Sequence, residues 1–199
     1  MTNEFWDERY SSDEYAYGIL PNKYFKEQID KLKPGKLFLP GEGEGRNAVY
    51  AAKLGWDVTA LDYSVMAQEK AMKLAEENNV KIKYHVIPIN EYIFPVSEFD
   101  ASSLIFVPIP ENLRALIHKN IIRSLKPGGV LIAELFSKKQ INNNSGGSKD
   151  LSLLCDIDEL LHDFKEMDII EGYETQINLN EGQYHQGKAD VIRILAKIK

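Results

Sequence analysis

The stretch Lys36-Leu-Phe-Leu-Pro-Gly-Glu-Gly-Glu-Gly-Arg-Asn-Ala-Val-Tyr-Ala-Ala-Lys-Leu-Gly-Trp-Asp-Val-Thr-Ala-Leu-Asp-Tyr-Ser64 decides the fold. Leu37-Phe38-Leu39 is a short apolar run closed by glycines, which reads as a buried strand. Gly41, Gly43 and Gly45 follow at alternate positions, then Ala48, Val49, Ala51, Ala52 and Leu54 recur at helical spacing. Trp56–Leu61 is a second strand, and Asp62 stands at its tip. Strand, glycine loop, helix, strand and terminal acid make a Rossmann-type half, in which the acid can accept ribose hydroxyls. The unit is built to hold a nucleoside-bearing cofactor.

Two cofactor classes compete. Gly43-Glu-Gly45-Arg-Asn-Ala48 satisfies a relaxed dinucleotide fingerprint, with Asp62 19 residues beyond Gly43. A dinucleotide would lay its pyrophosphate on this loop and the following helix N-terminus. Glu42 and Glu44 place two carboxylates there, which disfavours phosphate. S-adenosylmethionine has no phosphate and carries a sulfonium and an ammonium, so charge favours it over NAD(P).

Outward from that unit, 199 residues suit a single domain, an N-terminal cap at 1–35 and a Rossmann-like core at 36–199. The cap carries Phe5, Trp6, Tyr10, Tyr15 and Tyr17 among charges, then an amphipathic segment opening at Pro21-Asn22. Part of the aromatic cluster can close over cofactor or substrate, since aromatic faces suit a sulfonium. Beyond Asp62, Ser64 caps a helix over 65–78, and a third strand spans 81–87. A fourth strand is expected at 99–107, a helix at 111–125 stopped by Lys126-Pro-Gly-Gly129, and a fifth strand at 130–136. Residues 137–150 are polar and glycine-containing, a functional or mobile loop at the strand edge where α/β sheets bind ligands. A short helix at 157–164 precedes two strands, 167–179 and 188–198, joined by 180–187 and paired as a hairpin.

The formal charge of −6 and a pI near 5.3 argue against nucleic-acid or anionic-membrane partners. A lone Cys155 excludes an intramolecular disulfide, and His85, His118 and His162 suggest no metal site. No apolar run reaches the length of a membrane span, and the first residues do not read as a signal peptide. Asn143-Asn-Ser145 matches a glycosylation sequon, which carries little meaning without a secretory signal. A cytoplasmic location is expected; oligomeric state is not legible.

With these features in place the chain resembles the class I S-adenosylmethionine-dependent methyltransferases, and among them small bacterial enzymes of the tellurite-resistance and thiopurine-methyltransferase-like group. The marks are Trp6-Asp-Glu-Arg-Tyr10, Tyr17-Gly18, Gly41-Glu-Gly-Glu-Gly-Arg-Asn-Ala48, Val58-Thr-Ala-Leu-Asp62, Leu125-Lys-Pro-Gly-Gly129, Gly146-Gly-Ser-Lys-Asp150 and Glu181-Gly-Gln-Tyr-His-Gln-Gly-Lys188. The resemblance implies a mostly parallel seven-stranded sheet with one antiparallel strand and helices on both faces. It implies S-adenosylmethionine as donor, S-adenosylhomocysteine as product, and a small-molecule acceptor such as a thiol or a chalcogen oxyanion. The cofactor set carried over or read beside it is Gly41, Glu42, Gly43, Gly45, Asn47, Asp62, Tyr63, Ser64, Ile89, Asn90, Phe106 and Tyr17. Pro88 stands where many members have an aspartate toward adenine, so Asn90 or a backbone amide takes that contact.

Methyl transfer from a sulfonium needs proximity and orientation more than a dedicated base. Candidate bases are His185, Tyr184 and Glu134, with His185 placed in the hairpin turn; Trp6, Arg9, Tyr10, Lys149 and His185 are candidates for receiving the acceptor. Arg46 is a further cation that could receive an anionic substrate or the donor's carboxylate. A non-catalytic adenosylmethionine- or adenosylhomocysteine-binding module and an NAD(P)-dependent oxidoreductase are the alternatives.

Overall fold

A computed structural model describes residues 3–199; Met1 and Thr2 of the expected cap lie outside the described residues. The elements are α1 (Asn3–Tyr10), α2 (Lys23–Ile29), β1 (Lys36–Pro40), α3 (Arg46–Lys53), β2 (Asp57–Asp62), α4 (Val65–Glu77), β3 (Lys83–Val86) and β4 (Phe99–Ile105). They continue with α5 (Glu111–Ser124), β5 (Leu125–Phe136), α6 (Ile157–Asp163), β6 (Met167–Glu181) and β7 (His185–Ile198).

The seven strands form one sheet in the order β3-β2-β1-β4-β5-β7-β6, parallel from β3 to β5. Strand β7 runs antiparallel to both β5 and β6, as the hairpin reading requires. Alternation on the strands divides the core between two faces. Leu37 and Leu39 of β1 pack with Phe25, Val49, Val58 and Leu74 under α2, α3 and α4. Phe38 points the other way and packs with Leu104, Ile117, Ile121 and Phe164 under α5 and α6. Helices thus cover both faces, and the carboxyl ends of the parallel strands remain open to the loops that follow them.

Several boundaries differ from the sequence expectation, each for a local reason. Strand β4 ends at Ile105 because Phe106 turns to φ 55°. Strand β5 starts at Leu125, paired with Phe99, so Lys-Pro-Gly-Gly is the irregular first part of a strand and not a spacer. The segment expected as a functional or mobile loop after β5 is tied down and lines the cavity described below. A short 3₁₀ turn covers Lys138–Asn142, and the Gln140 amide donates to Ser145 Oγ and Gly146 O. The hairpin strands run further than expected and leave only residues 182–184 in the turn.

The cap closes onto that hairpin tip. Arg46 Nη1 donates to the Tyr17 carbonyl at 3.1 Å, and Tyr184 N–H to the Ala16 carbonyl at 3.3 Å. Lys70 Nζ donates to the Ser12 and Glu14 carbonyls. Gly182, at φ 62°, lets the two backbones touch: a Cβ there would lie 2.5 Å from Ala16 O and Gly18 N. Gly182→Ala is therefore expected to destabilise the protein by about 1–3 kcal/mol, the range for a strained backbone position. Urea unfolding will show a lower midpoint together with faster amide exchange in residues 12–18; an unchanged midpoint would remove the cap–hairpin contact as a constraint.

Candidate functional site

A cavity of about 730 Å³ opens at the carboxyl ends of β1, β2, β4 and β5, beneath the cap. Gly41, Glu42, Gly43, Asn47, Asp62 and Tyr63 line one side, with Pro88, Ile89, Asn90 and Glu91 beside them. Phe106, Phe136, Tyr184 and His185 line another part, and Phe5, Trp6, Arg9, Tyr10 and Tyr17 come from the cap. Its volume suits a drug-sized ligand, a size that also accommodates a nucleoside with a small partner.

On the glycine-loop side two acids dominate. Asp62, at the end of β2, accepts from Gly43 N–H and Ser64 N–H at 3.1 Å each. Burial pushes its carboxyl up to about 6 despite those bonds. The Glu42 carboxylate sits on the N-terminus of α3, where Oε1 accepts from Asn47 N–H at 2.8 Å and Ala48 N–H at 2.7 Å. These are the orphan donors of a helix start, to which a phosphate would otherwise be drawn. Burial raises Glu42 to about 7, with the backbone bonds and the Arg46 charge opposing.

Glu44 does a different job. Its carboxylate pairs with Lys70 at 2.6 Å, so it braces the cap while also lining the cavity. The sequence reading also needs correction at two cofactor candidates. Gly45 does not line the cavity; it caps α3 and packs against Ala71 of α4. Ser64 is fully buried, caps α4 through Ala67 N–H, and donates to Asp7 of the cap. Both hold the frame around the cavity.

On the other side the acceptor candidates separate. His185 is not in the turn: it is the first residue of β7, buried, with its ring 4.4 Å from Tyr17, 4.9 Å from Phe106 and 5.5 Å from Phe136. Its Nδ1 lies 3.3 Å from Glu181 Oε2. Burial holds the imidazole below its usual value, with Glu181 opposing and Arg46 and Arg9 adding. Tyr184 is partly exposed in the turn, under the Arg9 guanidinium at 3.8 Å. Glu134 is buried but does not line the cavity; its oxygens accept from Asn22 Nδ2 at 2.7 Å and Arg193 Nε at 2.6 Å. It is a structural acid.

Trp6 and Tyr10 stack at 5.6 Å over the cavity, and Lys149 lines it while donating to the Ile141 and Asn143 carbonyls. Arg46, another candidate for an anion, is committed to Glu181 at 2.9 Å. Among the described residues no cluster of His, Cys, Asp and Glu is arranged to hold a metal, and no helix is long and apolar enough to cross a membrane.

Sequence reasoning missed Phe136, Gly146, Leu154, Cys155 and Tyr84. Phe136 ends β5 at the ligand edge and was findable by that rule. Leu154 and Cys155 come from a segment that bridges back to Ser137, a pairing with no local signal. Tyr84 lies outside the lining but donates its hydroxyl to Gly43 O at 2.6 Å, steadying the loop from β3.

The family model for tellurite resistance protein TehB matches residues 4–199. A tRNA (uracil(54)-C(5))-methyltransferase from Pyrococcus furiosus is 29% identical over 140 residues, which cover 63% of this chain and only 32% of that protein. TehB from Haemophilus influenzae superposes with a TM-score of 0.74 at 19% identity, over 99% of this chain and 67% of that one. The N-methyltransferase NodS from Bradyrhizobium japonicum gives 0.68 at 14% identity, over 98% and 97%. At such identities the two structures speak for the fold, whereas the family match spans nearly every residue. The chain belongs to the tellurite resistance protein TehB family.

Proposed function

We propose that the protein transfers the methyl group of S-adenosylmethionine to a small-molecule acceptor held between the cap and the ends of β4 and β5. The observation that carries the cofactor side is Glu42 on the N-terminus of α3. A carboxylate already fills the anion site where a dinucleotide would lay its pyrophosphate, and the same group attracts an ammonium. Asp62 keeps acceptor capacity for a ribose hydroxyl beyond the bonds from Gly43, Ser64 and Tyr63. Ile89 and Asn90 flank the space for the base, with Asn90 in place of an acid at position 88. The donor brings a methyl carbon activated by positive sulfur. The chain's part is to orient it, to exclude water with Trp6, Tyr10 and Tyr17, and to hold the acceptor in line.

The relative from Pyrococcus is named for action on tRNA. A small acceptor fits this chain better, because its net charge is −6 and the cavity-lining cations Arg9, Arg46 and Lys149 are each engaged within the protein. Phosphate-backbone binding needs free cations.

Calorimetric titration is expected to show binding of S-adenosylmethionine and S-adenosylhomocysteine and none of NADH or NADPH. Asp62→Ala should weaken both by about 1–3 kcal/mol, the cost of leaving polar groups unpaired. A nicotinamide cofactor binding in their place would overturn the reading, and binding with no turnover across a broad acceptor panel would favour a non-catalytic module.

A second expectation concerns protons. Glu42 in the folded, ligand-free protein titrates at about 7, above the ordinary 4.5, so the folded state holds a proton that the unfolded state has lost. The stability tied to that proton is present below pH 4.5 and lost as pH rises through 7. Glu42→Gln should therefore gain on the wild type by about 1–3 kcal/mol between pH 5 and pH 8 in urea unfolding. Wild-type binding of S-adenosylmethionine near pH 7 should release protons, read as a dependence of binding heat on buffer ionisation enthalpy. Equal pH profiles for the two proteins would remove Glu42 as the ammonium's partner.

A further inference from the structure

The cavity does not stop at the loops above the sheet. Ile109, Leu113, Ile117, Leu135, Leu154 and Cys155 line it. Of these, Ile109, Ile117, Leu135 and Cys155 also belong to the core beneath α5 and α6, with Leu113 packed against them. Leu113 and Ile117 stand one turn apart on the same face of α5. Ile117 is six residues past the start of that helix, so the cavity reaches about 9 Å down it. Leu135, near the end of β5, lies three strands from Asp62 of β2, about 14 Å across the sheet. This apolar end is thus separate from the acid that would take the donor's ribose.

Its wall offers an anion nothing. Ile109 N–H donates to Val107 O at 3.1 Å, and the Ile109 carbonyl accepts from Arg114 Nη2 at 3.3 Å. Leu154 N–H donates to Leu151 O at 3.1 Å, and the Leu154 carbonyl accepts from the same Arg114 nitrogen at 3.0 Å. Cys155 has both backbone groups paired, its N–H with Phe136 O at 2.9 Å and its carbonyl with Lys138 N–H at 2.8 Å. Leu113 and Ile117 lie within a helix and Leu135 within the sheet, where the ladders take their N–H groups. Arg114 is buried, stands outside the lining, and has Glu159 as its counter-charge at 3.2 Å. Of the six lining side chains only the Cys155 thiol can hydrogen-bond, and weakly.

We infer that this end of the cavity is the subsite for the body of the acceptor, and that the acceptor carries an uncharged alkyl or aryl group. The inference rests on the methyl-transfer reading above and gives its acceptor a chemical class. An oxyanion placed there would lose its water and find no N–H in exchange. An apolar group fills the same space with a gain of about fourfold in affinity for each methylene buried. A body seated against Ile117 and Leu135 leaves its nucleophilic end towards the donor, so the length of the body decides which acceptors reach the methyl carbon. There the nucleophile's lone pair forms the bond to that carbon as the carbon's bond to the donor's sulfur breaks, the electrons staying on sulfur. With a thiol acceptor the S–H proton passes to water.

The test uses the full chain in two arms. In the first, benzene is titrated into methyl-labelled protein in the presence of S-adenosylhomocysteine. The methyl resonances of Ile109, Leu113, Ile117, Leu135 and Leu154 are expected to shift saturably, as they do when a dry cavity with such a lining takes benzene. In the second arm, ethanethiol, 1-propanethiol and 1-butanethiol serve as acceptors that share one nucleophile. 2-Mercaptoethanol is the polar match for 1-propanethiol, and selenite and tellurite are the oxyanions; S-adenosylhomocysteine formed is followed throughout. kcat/KM should rise about fourfold with each methylene. 2-Mercaptoethanol should lie about tenfold below 1-propanethiol, because its hydroxyl has no partner on this wall. Ile117→Phe should fill the end of the cavity, flatten the rise and remove the benzene shifts, with calorimetric affinity for S-adenosylhomocysteine retained. Leu113→Phe, at a half-buried position of the same face, should do likewise if the first variant does not fold. Absence of shifts at these methyls, a flat thiol series in the wild type, or preference for selenite or tellurite over 1-butanethiol would each overturn the inference, and with the donor bound would leave the methyl-transfer reading in place. If the donor does not bind, that reading falls and the acceptor assignment with it, while the benzene shifts still decide whether the apolar subsite exists.

Discussion

Asn22 is the joint on which the arrangement depends. Its backbone N–H donates to Asn47 Oδ1 at 2.9 Å, its side-chain oxygen caps α2 through Phe25 N–H, and its amide nitrogen reaches Glu134 and Glu181. One buried side chain thus ties the cap to α3, to β5 and to the tip of β6. Two carboxylates converge there, and each has its own cation: Arg193 for Glu134 and Arg46 for Glu181. Removing either arginine would leave a largely buried carboxylate without its cation, which costs several kcal/mol. Such a network is favourable only when every member is satisfied. Satisfaction fixes the hairpin tip, and with it His185.

The donor side is governed by a different constraint, the open N–H groups at the start of α3. Glycine loops of this type leave those groups for a ligand anion. Here the loop supplies its own anion in Glu42, so the positive helix end is neutralised before any ligand arrives. What remains facing the cavity is the far side of a buried carboxylate, with Asp62 across the loop. That side prefers a cation.

How much of this was legible follows from range. The β1–α3–β2 unit, its terminal acid and the final hairpin are encoded by local period and punctuation, and the seven-stranded, mostly parallel sheet agrees with the resemblance. Boundaries failed where long-range bonds override local signals: Leu125 enters β5 through its pairing with Phe99, and His185 enters β7 because Glu181, Tyr17 and Phe106 give it a buried place. Among cavity-lining residues, Asp62 was placed at the tip of its strand by local pattern, and Ser64 was legible as a helix cap for the same reason. What local pattern does not separate is a glycine or serine that lines a cavity from one that holds the helix beneath it, as Gly45 does against Ala71. For Glu134 the sequence could say only that a buried acid needs a partner, since Asn22 and Arg193 are 112 and 59 residues away.

The ligand-free site carries a standing electrostatic cost. Asp62 and Glu42 both sit above the ordinary carboxylate range because burial withholds water, and Asp62 and Glu44 also raise the buried Tyr10 hydroxyl. A protein under selection for stability alone would replace one of these acids with an amide. They persist at the place where a cation would relieve them, so part of the binding free energy of a cationic ligand is the recovery of stability the empty site lacks. The acceptor side is arranged in the opposite sense. There the Arg46 and Glu181 charges are paired within the chain, with His185 beside them. A cavity that is electrostatically unfinished at one end and paired at the other is matched to a ligand whose positive charge lies at the unfinished end.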